Sequence, residues 1–349
     1  MKVLIIAGGQ GTRLWPLSRS NRPKQLQALL SQKSLLQETA ARMASAVQPN
    51  DIYIVVSDNF QLSEVKKQLP HIPGQNIVQE PGAKNTAAAI CYGAAILAKK
   101  GFSEETMLVL AADHVIKNNE KLIVAAKLGE EFLTHNPQKL ITFGIKPTYP
   151  ETGYGYIKRG AEISSGVYSV QSYKEKPDKI AAETYTKNDT YLWNGGIFMW
   201  KIKTLLNHFE KYSPEHTVIM TAVQNDEDIN TAYSKIPSIA FDYAISEKDP
   251  DLVVIPIDLE WTDIGHWKTV KDILQKNPGE NVTEGRHIQF DTSNCLIVNR
   301  SDRIIATIGL DNLIIVDLPD ALLICPADRA QDVRKIVAAI EAESETNLT

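Results

Sequence analysis

The first apolar run of the chain, Val3-Leu4-Ile5-Ile6-Ala7, opens directly into Gly8-Gly9-Gln10-Gly11-Thr12-Arg13-Leu14-Trp15-Pro16-Leu17 and continues to Pro23-Lys24-Gln25. A buried strand ending in a glycine-rich turn is the opening unit of an open α/β sheet, and it narrows the fold more than any other feature. The turn also carries chemistry. Glycines let consecutive backbone N–H groups approach an anion with no Cβ in the way, and Arg13 and Lys24 add formal charge that backbone dipoles lack. Such a loop is a cradle for a triphosphate. Two commoner phosphate loops fail on spacing. A P-loop needs Lys and then Ser or Thr directly after its last glycine, where this chain has Thr12-Arg13, and a dinucleotide fingerprint needs a third glycine where Leu14 stands.

Up to about residue 146 short apolar runs alternate with longer helical patterns. Residues 3–7, 52–57, 76–79, 107–112 and 140–145 read as buried strands. Ser34 and Gln37 form an S-x-x-Q capping box ahead of Leu36, Ala40, Met43 and Val47 at helical spacing, and 85–100 and 118–135 read as helices. This βαβα order predicts a Rossmann-like α/β domain with a mostly parallel mixed sheet covered by helices on both faces. From residue 148 to about 274, hairpin-like strands at 154–158 and 167–174 mix with helices, which reads as an insertion onto the same sheet that covers the strand ends. After residue 281 the texture changes. Short strands at 295–299, 303–308, 312–317 and 321–325 start about nine residues apart, a spacing that suits a short left-handed β-helix, and a closing helix begins at 327. The expected domains are therefore 1–280, with halves at about 1–146 and 147–280, and 281–349.

A chain of 349 residues is longer than one core usually organises. Its net charge of -5, with no block of like charge, argues against nucleic acid as a partner, because binding a phosphate backbone needs a basic face. Cys91, Cys295 and Cys325 are odd in number and lack metal-ligand spacing, so they read as small buried hydrophobes in a reducing compartment. No apolar stretch approaches the roughly 18 residues of a membrane helix, and the first run is too short for a signal peptide. The reading is cytoplasmic, with no membrane partner.

Two carboxylates stand where ligands of open sheets gather, beyond the carboxyl ends of strands. Asp113 follows the run 107–112, and Asp263 follows the run 252–257 within Glu260-Trp261-Thr262-Asp263-Ile264-Gly265. Either aspartate alone is commonly a cap or turn former. Together they suit Mg2+, which is held by one or two carboxylates plus substrate phosphates.

The glycine loop resembles the signature of the sugar-1-phosphate nucleotidylyltransferases, and further blocks fall in register with that family: Glu80-Pro81 with Asn85-Thr86-Ala87, Ala112-Asp113-His114, Gly144 to Thr148 through Glu151 to Tyr156, Glu175-Lys176-Pro177, Trp193 to Gly196, Phe241 to Ala244, and Trp261 to Gly265. The chain looks closest to the mannose-1-phosphate guanylyltransferases. The resemblance implies a nucleotidyltransferase domain that takes GTP and mannose 1-phosphate, uses Mg2+, and releases GDP-mannose and pyrophosphate. It implies that Gly8, Gly9, Gly11, Thr12, Asn85 and Thr86 hold the nucleotide, that Arg13 and Lys24 grip the triphosphate, and that Asp113 and Asp263 bind the metal. Lys176 would contact the sugar phosphate. Gly153, Tyr154, Gly155, Glu175, Asn194, Gly195, Asp242 and Glu247 would surround the sugar. Glu80 is the candidate base reader, since a carboxylate accepts from guanine N1–H and N2–H. Lys84, Ala88, Gly195 and His266 depart from the family pattern, and lysine at position 84 keeps the charge but loses a planar fork. His266 reads as packing or solvent-exposed rather than catalytic.

Other readings are a uridylyl- or thymidylyltransferase acting on glucose 1-phosphate and a non-catalytic subunit that senses GDP-mannose. Longer relatives append a cupin-type metal domain, of which this sequence carries no His-rich pattern. The C-terminal β unit serves oligomer contacts or core support in relatives, and the resemblance leaves room for a homodimer.

Overall fold

The apolar runs become strands: β1 (Lys2–Ile6), β2 (Ile52–Val56), β3 (Ile77–Gln79), β4 (Thr106–Ala111), β5 (His114–Ile116), β6 (Ile141–Ile145), β7 (Tyr156–Ser164), β8 (Val167–Lys174), β9 (Tyr191–Lys201), β10 (Val253–Ile257) and β11 (Trp261–Asp263). The structure, a computed structural model, describes residues 1–9, 11–343 and 348; Gln10 of the glycine loop lies outside them. One nine-stranded sheet has the order β3-β2-β1-β4-β9-β6-β10-β8-β7, and β5 pairs separately with β11. Strands β3, β2, β1 and β4 run parallel, as do β6 and β10. Strands β2 and β6 are buried along their whole length, which is why they read as continuous apolar runs rather than alternating ones.

Strand β9 is the main departure from expectation. It enters the middle of the sheet antiparallel to both β4 and β6. The section read as an insertion onto the same sheet supplies β7, β8, β9 and β10 to it. The sequence conceals β9 because Asn194-Gly195-Gly196 reads as a turn, whereas here it lies within the strand. The register against β6 slips between Thr142 and Gly144, and Gly196 adopts φ 62°. A bulge of this kind continues a strand through residues that ordinarily end one.

Backbone contacts gather the chain into two compact units: Met1–Gly8, Thr39–Ala112 and Ile116–Trp261 form the first, and Gly9–Glu38, Asp113–Val115 and Thr262–Thr349 the second. In the first, the helix Asn85–Leu97 packs Ala87, Ile90, Cys91 and Ala94 with Leu4, Val55, Trp200 and Phe241 in one buried core. Its sequence is apolar around most of its circumference, as a helix buried on several sides requires.

The second unit contains β12 (Val282–Glu284), β13 (His287–Phe290), β14 (Leu296–Asn299), β15 (Ile305–Ile308), β16 (Leu313–Asp317) and β17 (Leu322–Pro326). Strands β12, β14 and β16 stack in parallel with β17 antiparallel at the edge, while β13 and β15 form a second parallel pair. Alternate residues feed two cores, as strand geometry dictates. Cys295, Ile297 and Ile315 fill the interior of the coil, and Leu296, Val298, Ile314 and Val316 pack with Leu14, Trp15, Ile264, Trp267 and the closing helix at Val333 and Val337. Cys91 and Cys295 are buried, Cys325 is half-buried, and all three are free thiols. The capping box forms in both directions: Ser34 N donates to Gln37 Oε1 at 2.9 Å, and Gln37 N donates to Ser34 Oγ at 3.2 Å.

Candidate functional site

In the second unit the glycine loop is pinned by its apolar letters. Leu14, Trp15 and Leu17 are buried in the core with Trp267, whose Nε1 donates to Trp15 O at 2.8 Å. Arg13 sits on the short 3-10 turn Thr12–Leu14, and its guanidinium lies 3.6 Å from where a Cβ on Gly265 would stand. Lys24 opens the 3-10 turn Lys24–Leu26 after Pro23 and is only 8% exposed. Gly11, at φ 69°, allows this: a Cβ there would come within 2.6 Å of the Lys24 stem.

The Lys24 ammonium reaches both aspartates. Its Nζ lies 2.7 Å from Asp113 Oδ2 and 3.8 Å from Asp263 Oδ1, and it donates to Ile264 O at 2.9 Å. Burial alone would lower the Lys24 pKa, but the two carboxylates reverse that and raise it. For Asp113 burial pushes upward, and Lys24, with His114 beside it, outweighs the push and holds the carboxyl at about 2. Asp263 Oδ1 is buried and accepts no hydrogen bond from the described residues. Ligand atoms of Asp113, His114 and Asp263 all lie within 4.8 Å of one another, a group able to hold a divalent cation. A buried acceptor without a donor, beside a second carboxylate, fits such an ion. His266 is the N-cap of the helix Trp267–Leu274, with its Nδ1 accepting from Thr269 N at 3.3 Å, so this histidine shapes the turn after Asp263.

In the first unit Glu80 follows β3, its N–H bonded to Val56 O at 2.8 Å, and it is 3% exposed. Burial drives its carboxyl up to about 7, against a weak opposing bond of 3.5 Å from Tyr233 Oη. Gly8 lies against it: a Cβ there would stand 3.0 Å from Glu80 Oε1. Asn85, at φ 67°, accepts from Thr86 N through Oδ1, and Thr86 Oγ1 accepts from Phe241 N at 2.9 Å. These two side chains tie down the start of the helix they open. Lys84 Nζ donates to Ile236 O at 3.1 Å.

A second polar cluster of the first unit gathers residues from β7–β9 and the segment after residue 241. Asp242 Oδ1 accepts from Tyr173 Oη at 2.6 Å and from Asn194 Nδ2 at 2.8 Å. Glu175, 8% exposed, keeps Oε2 buried without a hydrogen-bond partner among the described residues, pairs with Lys176 Nζ at 3.1 Å through Oε1, and donates its N–H to Glu247 Oε1 at 2.9 Å. Gly155 closes the floor, with its O accepting from Asn194 N at 2.8 Å; a Cβ there would meet Glu175 Oε2 at 2.4 Å. Burial, then mutual repulsion with Asp242, raises the Glu175 pKa, and burial raises Asp242 despite the Tyr173 hydroxyl. Lys176, at φ 45°, is the exposed cation of the group. Gly153 N donates to Glu151 Oε1 at 2.8 Å, and Tyr154 lies edge-on to Trp193 and Trp261 at 5.3 and 5.0 Å. A Cβ on Gly195 would stand 2.8 Å from Phe143 O.

Sequence reasoning missed His114, Tyr173 and Tyr233. His114 had a signal in its adjacency to Asp113. The tyrosines had none, because each reads as an ordinary strand or helix residue until its hydroxyl is seen beside a buried carboxylate.

Comparison with known proteins adds to this geometry. Residues 2–278 match the nucleotidyl transferase family model, and residues 285–340 match the mannose-phosphate isomerase/GMP-like β-helix domain. A Klebsiella pneumoniae protein named mannose-1-phosphate guanylyltransferase is 37% identical over 347 residues, covering 96% of this chain and 72% of that protein. An Escherichia coli protein of the same name is 36% identical, covering 98% and 74%. The crystal structure of a Thermus thermophilus protein described as a mannose-1-phosphate geranyltransferase superposes with TM-score 0.88 at 32% identity, covering 97% of this chain and 99% of that one.

Proposed function

The chain belongs to the nucleotidyl transferase family, and from that premise we propose that it transfers GMP from GTP to mannose 1-phosphate, forming GDP-mannose and pyrophosphate. The observation that carries the chemistry is the buried Lys24 ammonium set between Asp113 and Asp263 with Arg13 nearby. Arg13, Lys24 and the backbone of Gly8, Gly9, Gly11 and Thr12 bind the triphosphate. Glu80 reads guanine, and Asn85 and Thr86 hold the segment beside it. Lys176 binds the sugar phosphate, while Glu175, Asn194 and Gly155 meet the sugar. Asp242 and Glu247 hold those residues in place, and Gly153, Tyr154 and Gly195 shape the wall.

The sugar phosphate is largely dianionic at neutral pH, its second pKa being about 6, so no general base is needed. One of its oxygens forms a bond to the α-phosphorus of GTP, and the bond from that phosphorus to the bridging oxygen breaks in line as pyrophosphate leaves with the electron pair. What the protein contributes is alignment and positive charge where negative charge gathers. Asp113 and Asp263 would hold Mg2+, which supplies charge neutralisation on the phosphate oxygens when bound.

Pyrophosphate release, measured with each nucleoside triphosphate crossed against mannose, glucose and N-acetylglucosamine 1-phosphates, tests the reading. GTP with mannose 1-phosphate should exceed every other pair by at least about tenfold, the value of one hydrogen-bonding mismatch. A faster rate with UTP or dTTP and glucose 1-phosphate overturns it. So does tight GDP-mannose binding with no pyrophosphate released from any pair.

A further inference from the structure

Asp113 and His114 are neighbours, and in a regular strand their side chains would face opposite ways. The turn through residues 112 and 113, between β4 and β5, breaks that alternation and brings the donor atoms of Asp113, His114 and Asp263 within 4.8 Å of one another. Ligands bound at about 2.0–2.2 Å from one ion stand some 3–4 Å apart, a difference that small side-chain rotations close. Asp263 Oδ1 is buried and accepts no hydrogen bond among the described residues, Lys24 Nζ standing 3.8 Å away, so it is available as a ligand atom.

We propose that His114 is a third, nitrogen ligand of this site and turns its intrinsic preference from Mg2+ toward borderline divalents of the Co2+ and Zn2+ class. The inference rests on the reading of Asp113 and Asp263 as metal holders and goes beyond it. Mg2+ takes oxygen donors and keeps several of its waters, so an imidazole adds little to its binding. Cobalt and zinc accept imidazole readily, and their affinities for mixed nitrogen and oxygen sites exceed those of harder ions. A neutral ring also adds a donor without adding charge, whereas Lys24 and Arg13 place positive charge beside the same carboxylates. The ion used in a cell is then decided by supply, because affinity favours another.

The test uses the full chain without nucleotide and Co2+ as the probe. The hyperfine-shifted imidazole N–H resonance of the wild-type complex should report a bound ring nitrogen, and d–d absorption should give the affinity, with Mg2+ measured by competition. Wild type should bind Co2+ at least about tenfold more tightly than Mg2+. His114→Gln should lose about tenfold or more in Co2+ affinity while Mg2+ affinity stays within about threefold. Absence of the ring-nitrogen signal in wild type overturns the proposal, as does an equal loss of both ions or of neither in the variant. The wild-type spectrum needs no substitution, so a variant that fails to fold shelters nothing. Asp263→Asn serves as the control: if it binds both ions normally, the metal reading of the aspartates fails instead.

Discussion

Glu80→Gln separates the energetics of a buried carboxyl from its use. In the folded protein burial carries the Glu80 pKa from 4.5 to about 7. At ~1.4 kcal/mol per pH unit the displacement corresponds to roughly 3–4 kcal/mol. The sign follows from proton binding. Between pH 4.5 and 7 the unfolded chain has released this proton and the folded chain still holds it, so stability falls as pH rises through the window and the full cost is in place above pH 7. The amide cannot ionise. Glu80→Gln should therefore match wild type near pH 4 and exceed it by up to roughly 3–4 kcal/mol at pH 8, as read by urea unfolding at both values. Guanine binding should then draw on the same proton. N1–H and N2–H together need both carboxylate oxygens as acceptors, so GTP binding at pH 6 should release close to one proton more from wild type than from the variant, the phosphate protons being common to both, measured by calorimetry in two buffers of different ionisation enthalpy. The variant should also narrow the preference for GTP over other nucleotides by the ~1–3 kcal/mol of a buried polar mismatch. An equal stability difference at both pH values would refute the burial argument, and an unchanged nucleotide ranking would refute the base-reading role.

Two glycine substitutions test the packing around the charged groups. Gly11→Ala places a Cβ within 2.6 Å of the Lys24 stem in a backbone that an L-residue resists, so it should cost about 1–3 kcal/mol in thermal unfolding and depress turnover; an unchanged melting point with normal turnover would contradict it. Gly155→Ala pushes a methyl to 2.4 Å from Glu175 Oε2, and should raise KM for the sugar phosphate at least several-fold while KM for the nucleotide hardly moves; equal rises in both would remove Glu175 from the sugar side.

Much of the fold was legible in local letters. Parallel strands buried on both faces write themselves as unbroken apolar runs, and β1, β2, β4 and β6 appear within a residue or two of their expected places. The capping box at Ser34 and the regular spacing of β14 to β17 are likewise local signals. Strand β9 was not legible, because Asn194-Gly195-Gly196 carries a turn's composition and only pairing with β4 and β6 holds it extended. Strand β12 is only three residues long and β13 is exposed along most of its length, so neither carries an apolar run. No helix among the described residues is long and apolar enough to cross a membrane.

From its letters alone the chain declared a glycine loop with two cations and two strand-terminal aspartates, because residue type and spacing along the backbone are properties of the sequence. That Lys24 is buried against Asp113 and Asp263, that His114 joins them, and that Glu80 is held near neutrality by burial were decided by tertiary structure. Distance between residues far apart in the chain, and exclusion of water from a carboxyl, exist only once the chain has folded.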